Sequence, residues 1–284
     1  MLLVAVPASA AAQNSLFIRR YEVGQQIGYR MTGVNSSPQK KISYSADAIG
    51  AVGLDKAGRP NEQLGWSHLV ANGKPVLLSP GSVAFRQTLS LTPGYWAPFP
   101  DLSRLDSSLV GPITDLLTFY VDLQLAARAS TLVNPGDHFL FKFGIPVSWA
   151  DGRTVLVGQD SVDFDITLRK LDRKRQTAEI QVMHIPPQNP GLRLEADWMK
   201  APIASGPNNW VQVEKSADGT FIAGIGRETF DVRIDVSLGD GRILFAKEDN
   251  IVDVSERVCA DSTLTSPGPA KRYRITRHIE IRPL

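Results

Sequence analysis

The chain has 284 residues and a hydrophobic content of 43%, so it can bury a sizeable core as one large β domain or as two small ones. Its 31 basic and 29 acidic residues are interspersed and give a net charge of +2, which argues against a nucleic-acid-binding protein and against a polybasic membrane anchor. Cys259 is the single cysteine, which excludes an internal disulfide and zinc sites of the CxxC type.

Residues 1–12 are typical of the end of a secretory signal. Five apolar residues precede Pro7 and the small-x-small sequence Ala8-Ser9-Ala10, although the usual basic start is missing. We therefore expect a signal-peptide remnant at 1–12 and a mature chain from about Gln13; the alternative is a disordered or buried N-terminal strand. Export with one cysteine indicates a bacterial periplasmic or secreted protein.

Short strand-like segments separated by turn signals fill residues 17–91. We predict strands at 24–31, 42–52, 66–69 and 75–78. Asn72-Gly73 lies between the last two segments and is a strong hairpin signal. Because the connections are too short for crossovers, the strands are predicted to pair antiparallel.

Prolines punctuate residues 91–110, where we expect an irregular loop because Pro93, Pro98 and Pro100 cannot donate ladder hydrogen bonds. Trp96 lies on this loop and is a candidate for the rim of a ligand site. Aromatic residues on such a loop more often plug the end of a barrel or sandwich.

One long helix is predicted at residues 112–129. Gly111-Pro112 is a helix start signal and Asn134-Pro135-Gly136 a stop signal. Apolar residues cover almost the whole circumference, which indicates a buried helix. With a length of roughly 27 Å and several polar residues it is too short and too polar for a membrane span.

Asp122 is the exceptional residue of this helix. It extends a narrow polar stripe that includes Thr114 and Thr118. We expect this stripe to face water. The alternative is that a partner holds Asp122 inside the protein, since an unpaired buried charge is not tolerated.

Alternating apolar and polar residues predict further strands after the helix, at 139–143, 154–158, 162–171, 177–184, 230–238 and 273–281. Arg277 breaks the alternation of the last strand, so a bulge or a partner is needed there. A proline-rich break at 186–191 is a candidate sub-boundary within a single β-rich domain at 13–284. The predicted fold class is mainly β (α+β), with a large antiparallel curved sheet or half-barrel wrapped around one long central helix.

The sharpest candidate for catalysis is His184. Hairpin pairing would place it opposite Val162 or Phe164, with Asp160 one step further out on the same side. A carboxylate beside a histidine fixes its tautomer and raises its basicity, so the pair can act as a general base. The alternative is a core histidine bonded to a backbone carbonyl.

Other chemical signatures are missing from the sequence. Four histidines without HxH or HxxxH spacing predict no metal site. The sequence contains no GxSxG, GxGxxG or P-loop motif, so we predict no cofactor.

The predicted arrangement of an exported sheet folded about one apolar helix is similar in architecture to the periplasmic lipoprotein-carrier half-barrels. This resemblance implies a binding or carrier protein for an apolar or amphipathic small molecule or lipid. Tyr120, Leu116, Phe164 and Ile180 would then line the pocket. One alternative is a cofactor-independent hydrolase or lyase that uses Asp160 with His184, or Asp122, as acid and base. A second alternative is a cell-envelope structural protein with a packed core.

Overall fold

One large antiparallel sheet and one long helix make up most of the protein in a computed structural model. The structure describes residues 15–95, 97–98, 100–143, 149–150, 154–156, 162–185, 196–206 and 208–284. For 142–143, 149–150, 154–156, 162–163 and 184–185 it describes the backbone alone.

The secondary structure is mainly β, as predicted. The strands are β1 (Gln26–Ser36), β2 (Lys41–Leu54), β3 (Pro60–Ala71), β4 (Lys74–Pro75), β5 (Gln87–Ser90), β6 (His138–Phe143), β7 (Trp149–Ala150), β8 (Thr154–Leu156), β9 (Val162–Asp172), β10 (Thr177–Ile185), β11 (Trp210–Lys215), β12 (Phe221–Ser237), β13 (Ile243–Cys259) and β14 (Lys271–Pro283). The helices are α1 (Pro80–Ala84), α2 (Ser107–Arg128) and a 3₁₀ helix at Asp197–Lys200. None of the helices in the described ranges has the length and apolar character needed to span a membrane.

The sheet is open, and its main strand order is β4-β3-β2-β1-β14-β13-β12-β10-β9-β6. Strand β5 pairs with β3. On the edge of β12 that does not face β13, β11 pairs with β12, β8 pairs with β11, and β7 pairs with β8. The long strand β12 pairs with β13 along its length and with β11 and then β10 on its second edge. All of these pairings are antiparallel, which confirms the predicted sheet type.

Local sequence signals set much of this topology. The predicted hairpin at Asn72-Gly73 connects β3 to β4, and both residues adopt positive φ angles of 51° and 76°. Two consecutive residues with positive φ make the turn whose twist matches that of the flanking strands. The predicted alternation is confirmed in β9, where Phe164, Ile166 and Leu168 are buried.

Helix α2 begins earlier than the sequence predicted. Its first residue is Ser107 and not Pro112, which lies inside the helix. Leu109 is completely buried, so the added turn extends the apolar surface of the helix. The Thr114 Oγ1 atom donates to the carbonyl oxygen of Val110, 2.9 Å away, close to the position where the proline ring removes a backbone donor.

Polar side chains hold α2 against the sheet. The Gln87 amide donates to the Ile113 carbonyl at 3.0 Å, and the Gln124 amide donates to the Ser90 carbonyl at 2.6 Å. Buried apolar residues of α2 and of one sheet face form the main core. A second cluster, which includes Met199 and Cys259, lies on the opposite face of β12 and β13.

Candidate functional site

The four predicted pocket residues come together in the main core. Leu116, Tyr120, Phe164 and Ile180 belong to one continuous cluster of buried residues between α2 and the sheet. Their exposed fractions lie between 0% and 5%. All four are therefore residues of the packed core, and their role as a pocket lining stays a prediction.

The other predicted site residues are only partly described. The backbone of His184 pairs with Phe164 of β9, in one of the two registers predicted. The side chain of His184 lies outside the described part of the chain, as do all atoms of Asp160 and Trp96. The proposed acid–base pair of His184 and Asp160 therefore stays a prediction.

A polar cluster lies beside Tyr120 inside this apolar interface. The guanidinium carbon of Arg19 is 4.0 Å from the centre of the Tyr120 ring, and the Arg19 side chain is 4% exposed. Stacking of this kind is attractive because the ring face carries negative charge. The Nη1 atom of Arg19 lies 3.9 Å from Oε1 of Glu62, which is completely buried in β3.

Two tyrosines link the helix to Glu62. The hydroxyl of Tyr29 in β1 lies 3.0 Å from the hydroxyl of Tyr120 and donates to Glu62 Oε1 at 3.4 Å. Because the Tyr29 proton is directed at Glu62, the Tyr120 hydroxyl is left as the donor to Tyr29. Their rings meet edge to face, with centroids 6.5 Å apart.

Several buried polar atoms of this cluster have no hydrogen-bond partner among the residues that the structure describes. They are Nη1 and Nη2 of Arg19 and Oε2 of Glu62, whereas the Tyr21 hydroxyl interacts with that of Tyr29. Buried polar atoms in native proteins are almost always hydrogen-bonded, so each exception calls for an explanation. We name Arg19, Tyr21, Tyr29, Glu62 and Tyr120 the arginine cluster.

Burial controls the protonation of Glu62. It raises the pKa of the Glu62 carboxyl to about 7, against the opposing effects of the Arg19 charge and the Tyr29 hydrogen bond. Burial also raises the pKa of Tyr29 and Tyr21, which keeps both hydroxyls protonated. Near neutral pH the cluster therefore combines the Arg19 guanidinium with a Glu62 carboxyl that is partly protonated.

The segment that carries Arg19 connects α2 to the sheet. The Ser15 hydroxyl donates to the carbonyl oxygen of Ala126 at 3.3 Å, and Phe17 is buried in the main core. The backbone amide of Arg20 donates to the carbonyl oxygen of Asp240 at 2.9 Å. A Cβ atom at Gly241 would come within 2.9 Å of the Ile18 carbonyl, so glycine is needed where the segment crosses this turn.

A different arrangement surrounds Asp122 on the same helix. The prediction that Asp122 faces water is wrong, because its side chain is buried, with an exposed fraction of 1%. No described residue offers either carboxylate oxygen a hydrogen-bond partner, and burial holds the pKa of the group well above its usual value. Thr114 and Thr118 of the same stripe are partly exposed, so α2 reaches water on that side but not at Asp122.

Arg277 has the partner that its place in β14 required. Its guanidinium forms an ion pair with Asp115 of α2, and the Tyr44 hydroxyl donates to the second oxygen of Asp115 at 2.5 Å. The predicted requirement for a bulge or a partner at Arg277 is therefore confirmed by a partner. This ion pair fixes the orientation of α2 over the centre of the sheet.

A small cavity lies near the ends of β2, β3 and β5. Its volume is about 70 Å³, and its lining includes Asn61, Ser90 and Tyr95. Such a volume accommodates a few water molecules, whereas ligand pockets usually measure about 300–1,000 Å³. Tyr95 therefore lies at the rim of a cavity, but one that is too small for a sizeable ligand.

Sequence reasoning missed Arg19 and Glu62 of the arginine cluster, and it missed Glu248, a buried carboxyl in β13 whose pKa is raised by burial and by Asp122. Glu248 was missed although β13 carries a readable signal: Ala246, Glu248, Asn250, Val252 and Val254 alternate on one face and all are buried. The same parity rule that identified the apolar face would have placed Glu248 inside. Arg19 precedes the first strand and no periodic pattern marks it.

Comparisons with known proteins add no family to this description. The chain matches no protein-family model, and no curated protein is similar enough to count as a relative.

Proposed function

We propose that the protein is an exported binding or carrier protein for an amphipathic ligand with a carboxylate head group. In this proposal the arginine cluster binds the head group, and the apolar part of the ligand lies between α2 and the sheet. The sheet would curve around α2 as a half-barrel and separate from it far enough to admit the ligand. Export to the periplasm or the medium, expected from residues 1–12, would give such a protein access to envelope lipids.

The unmatched donors of Arg19 are the observation that carries this proposal. A guanidinium offers two parallel N–H groups in the geometry that a carboxylate accepts. A carboxylate there would satisfy Nη1 and Nη2, which have no hydrogen-bond acceptor among the described residues, although Nη1 lies 3.9 Å from Glu62 Oε1. The Tyr21 hydroxyl and a protonated Glu62 would supply further donors to the same head group.

The surroundings of the cluster suit an amphipathic molecule. Tyr120 carries the stacked guanidinium on one side and belongs to the main core on the other. Leu116 lies one helical turn before it, so an alkyl chain leaving Arg19 would meet the apolar residues already predicted to line a pocket. Phe164 and Ile180 extend this apolar path across β9 and β10.

Displacement of a bound fluorescent probe by sodium decanoate tests the proposal. Decanoate is used below the concentration at which it forms micelles. We expect decanoate to bind the wild-type protein, and Arg19→Met to weaken binding by at least tenfold because one charged head-group contact is worth about 1.5–3 kcal/mol. Arg20→Met is the matched control, since Arg20 is its exposed neighbour. Binding should strengthen from about pH 8 to pH 6 as Glu62 gains its proton.

Two results would overturn the proposal. If decanoate binds Arg19→Met as tightly as the wild type, the head-group site is not at Arg19. If neither decanoate nor any co-purifying lipid is found by native mass spectrometry of protein isolated from its host envelope, the carrier function is wrong and a packed structural protein is favoured.

A further inference from the structure

A row of carboxyl groups, separate from the arginine cluster, lies under α2 on the side of Asp122. Glu248 of β13 is 1% exposed, and its Oε2 atom has no hydrogen-bond partner. Asn250 follows on the same face of β13 and donates to Oε1 of the half-buried Glu228 in β12 at 3.1 Å. The row therefore runs from the buried Asp122 through Glu248 and Asn250 to Glu228 near the surface.

Strand register places Asp122 over Glu248. Asp115 and Asp122 are seven residues apart, close to two helical turns, so they share one face of α2. Asp115 contacts Arg277, which pairs with Asn250; two residues further along the same strands, Ile279 pairs with Glu248. The charge of Asp122 accordingly raises the pKa of Glu248, after the larger effect of burial.

The charged groups around this row in the described residues are acidic, except for Arg277, which forms an ion pair with Asp115. Glu228 and Asp249 add to the negative potential at Glu248, and burial raises the pKa of Glu228 and Glu248 to about 7 and about 8. Arg277 is held by Asp115, and Tyr44 is protonated because burial raises its pKa. Among the described residues, three buried carboxyl oxygens, both of Asp122 and one of Glu248, have no hydrogen-bond partner, and they can act as acceptors once the two groups lose their protons.

We propose that Asp122 and Glu248 form a binding site for the ammonium group of a primary amine. A primary ammonium carries three N–H donors and one positive charge, which match the three unpaired acceptors and the surplus of carboxyl groups. Two carboxyl groups are enough to hold a primary ammonium, whereas the described His, Cys, Asp and Glu residues include no group of three placed to hold a metal ion. The half-buried Glu228 and the partly exposed Arg277 mark the side from which the amine enters.

Amine binding at this site is linked to proton release. The buried carboxyl groups keep their protons at neutral pH, and they must lose at least one of them to pair with a cation. Affinity for an amine should therefore rise between about pH 6 and pH 8, the reverse of the decanoate dependence at Glu62. Opposite pH dependences make the two sites distinguishable in one protein.

Isothermal titration calorimetry with n-butylammonium chloride tests the site directly. We expect binding at pH 8, with proton release seen as a difference between phosphate and HEPES buffers, neither of which contains a primary amine. Tetramethylammonium chloride, which has the same charge but no N–H donor, should not bind, and sodium chloride at equal ionic strength provides the baseline. Asp122→Asn should lower the affinity for butylammonium at least tenfold, whereas Glu256→Gln, a change at the far end of β13, should leave it unchanged.

The proposal is overturned if tetramethylammonium binds as well as butylammonium, or if Asp122→Asn keeps the wild-type affinity. Should Asp122→Asn fail to fold, as judged by circular dichroism, Glu248→Gln decides by the same criterion. Decanoate binding to these variants reports on the arginine cluster alone, so failure of one site does not imply failure of the other.

Discussion

Two aspartates on one face of α2 have opposite surroundings. Asp115 contacts the Arg277 guanidinium and accepts a hydrogen bond from Tyr44, whereas Asp122, two turns later, has no partner for either oxygen. Both are buried to the same degree, with exposed fractions of 1%. Equal burial therefore does not mean equal pairing. The fold supplies Asp115 with a cation and a hydrogen-bond donor, whereas no described residue pairs with Asp122.

The largest expected effect comes from breaking the matched pair. Asp115→Ala should lower the free energy of unfolding by about 3 kcal/mol, because it leaves Arg277 without its partner in a partly buried position. Urea unfolding monitored by circular dichroism measures the change. The double variant Asp115→Ala, Arg277→Met should recover part of the loss; if it is no more stable than Asp115→Ala, the two residues are not coupled.

Replacing the unpaired Asp122 should stabilise the protein, which is the opposite of the effect expected at Asp115. Below about pH 4 the Asp122 carboxyl is protonated in both folded and unfolded chains, so Asp122→Asn should unfold like the wild type. At higher pH the unfolded chain releases this proton while the folded protein keeps it, because the folded pKa is raised, and the wild type loses stability.

Asp122→Asn should therefore be more stable than the wild type by roughly 1–3 kcal/mol at pH 8. Urea unfolding as a function of pH measures this difference. A destabilised variant at pH 8 would indicate an ionised Asp122 with a partner. A gain in stability combined with a loss of amine binding is the expected signature of a residue kept for function.

A smaller effect is expected at Tyr44. Tyr44→Phe removes the hydrogen bond to Asp115 but keeps the ring, so it should cost about 1–2 kcal/mol, less than the loss of the ion pair. The same unfolding measurement applies. In the Asp115→Ala background the change should have little effect, and an undiminished cost there would mean that the Tyr44 hydroxyl stabilises the protein through a contact other than Asp115.

Local sequence patterns predicted the strands and their buried faces, but not the start of the long helix. Alternation in β9, β12 and β14 identified the buried faces, and Asn72-Gly73 fixed a hairpin, because both signals are local. The start of α2 was missed because Pro112 is a common first residue, while the burial of Leu109 depends on the sheet above it. Tertiary context overrides a local start signal in this case.

The polar clusters were harder to predict, since they depend on which distant strands meet. Asp122 was correctly identified as exceptional, but it was wrongly predicted to be exposed. Burial of one face of α2 depends on distant strands, which no local pattern in the sequence shows. Arg19 and Glu62 are 43 positions apart in the sequence numbering and meet only through the fold. A strand-parity reading of β13 would have recovered Glu248, but not its proximity to Asp122.

The two 17-residue strands β12 and β13 also determine how the protein can come apart. One face of this ribbon supports the α2 side of the molecule and the other face supports Met199 and Cys259. Neither half can melt without fraying strands that the other half requires. Amide protons at the middle of the ribbon should consequently exchange with solvent only when the whole sheet opens, and heating should give one cooperative transition.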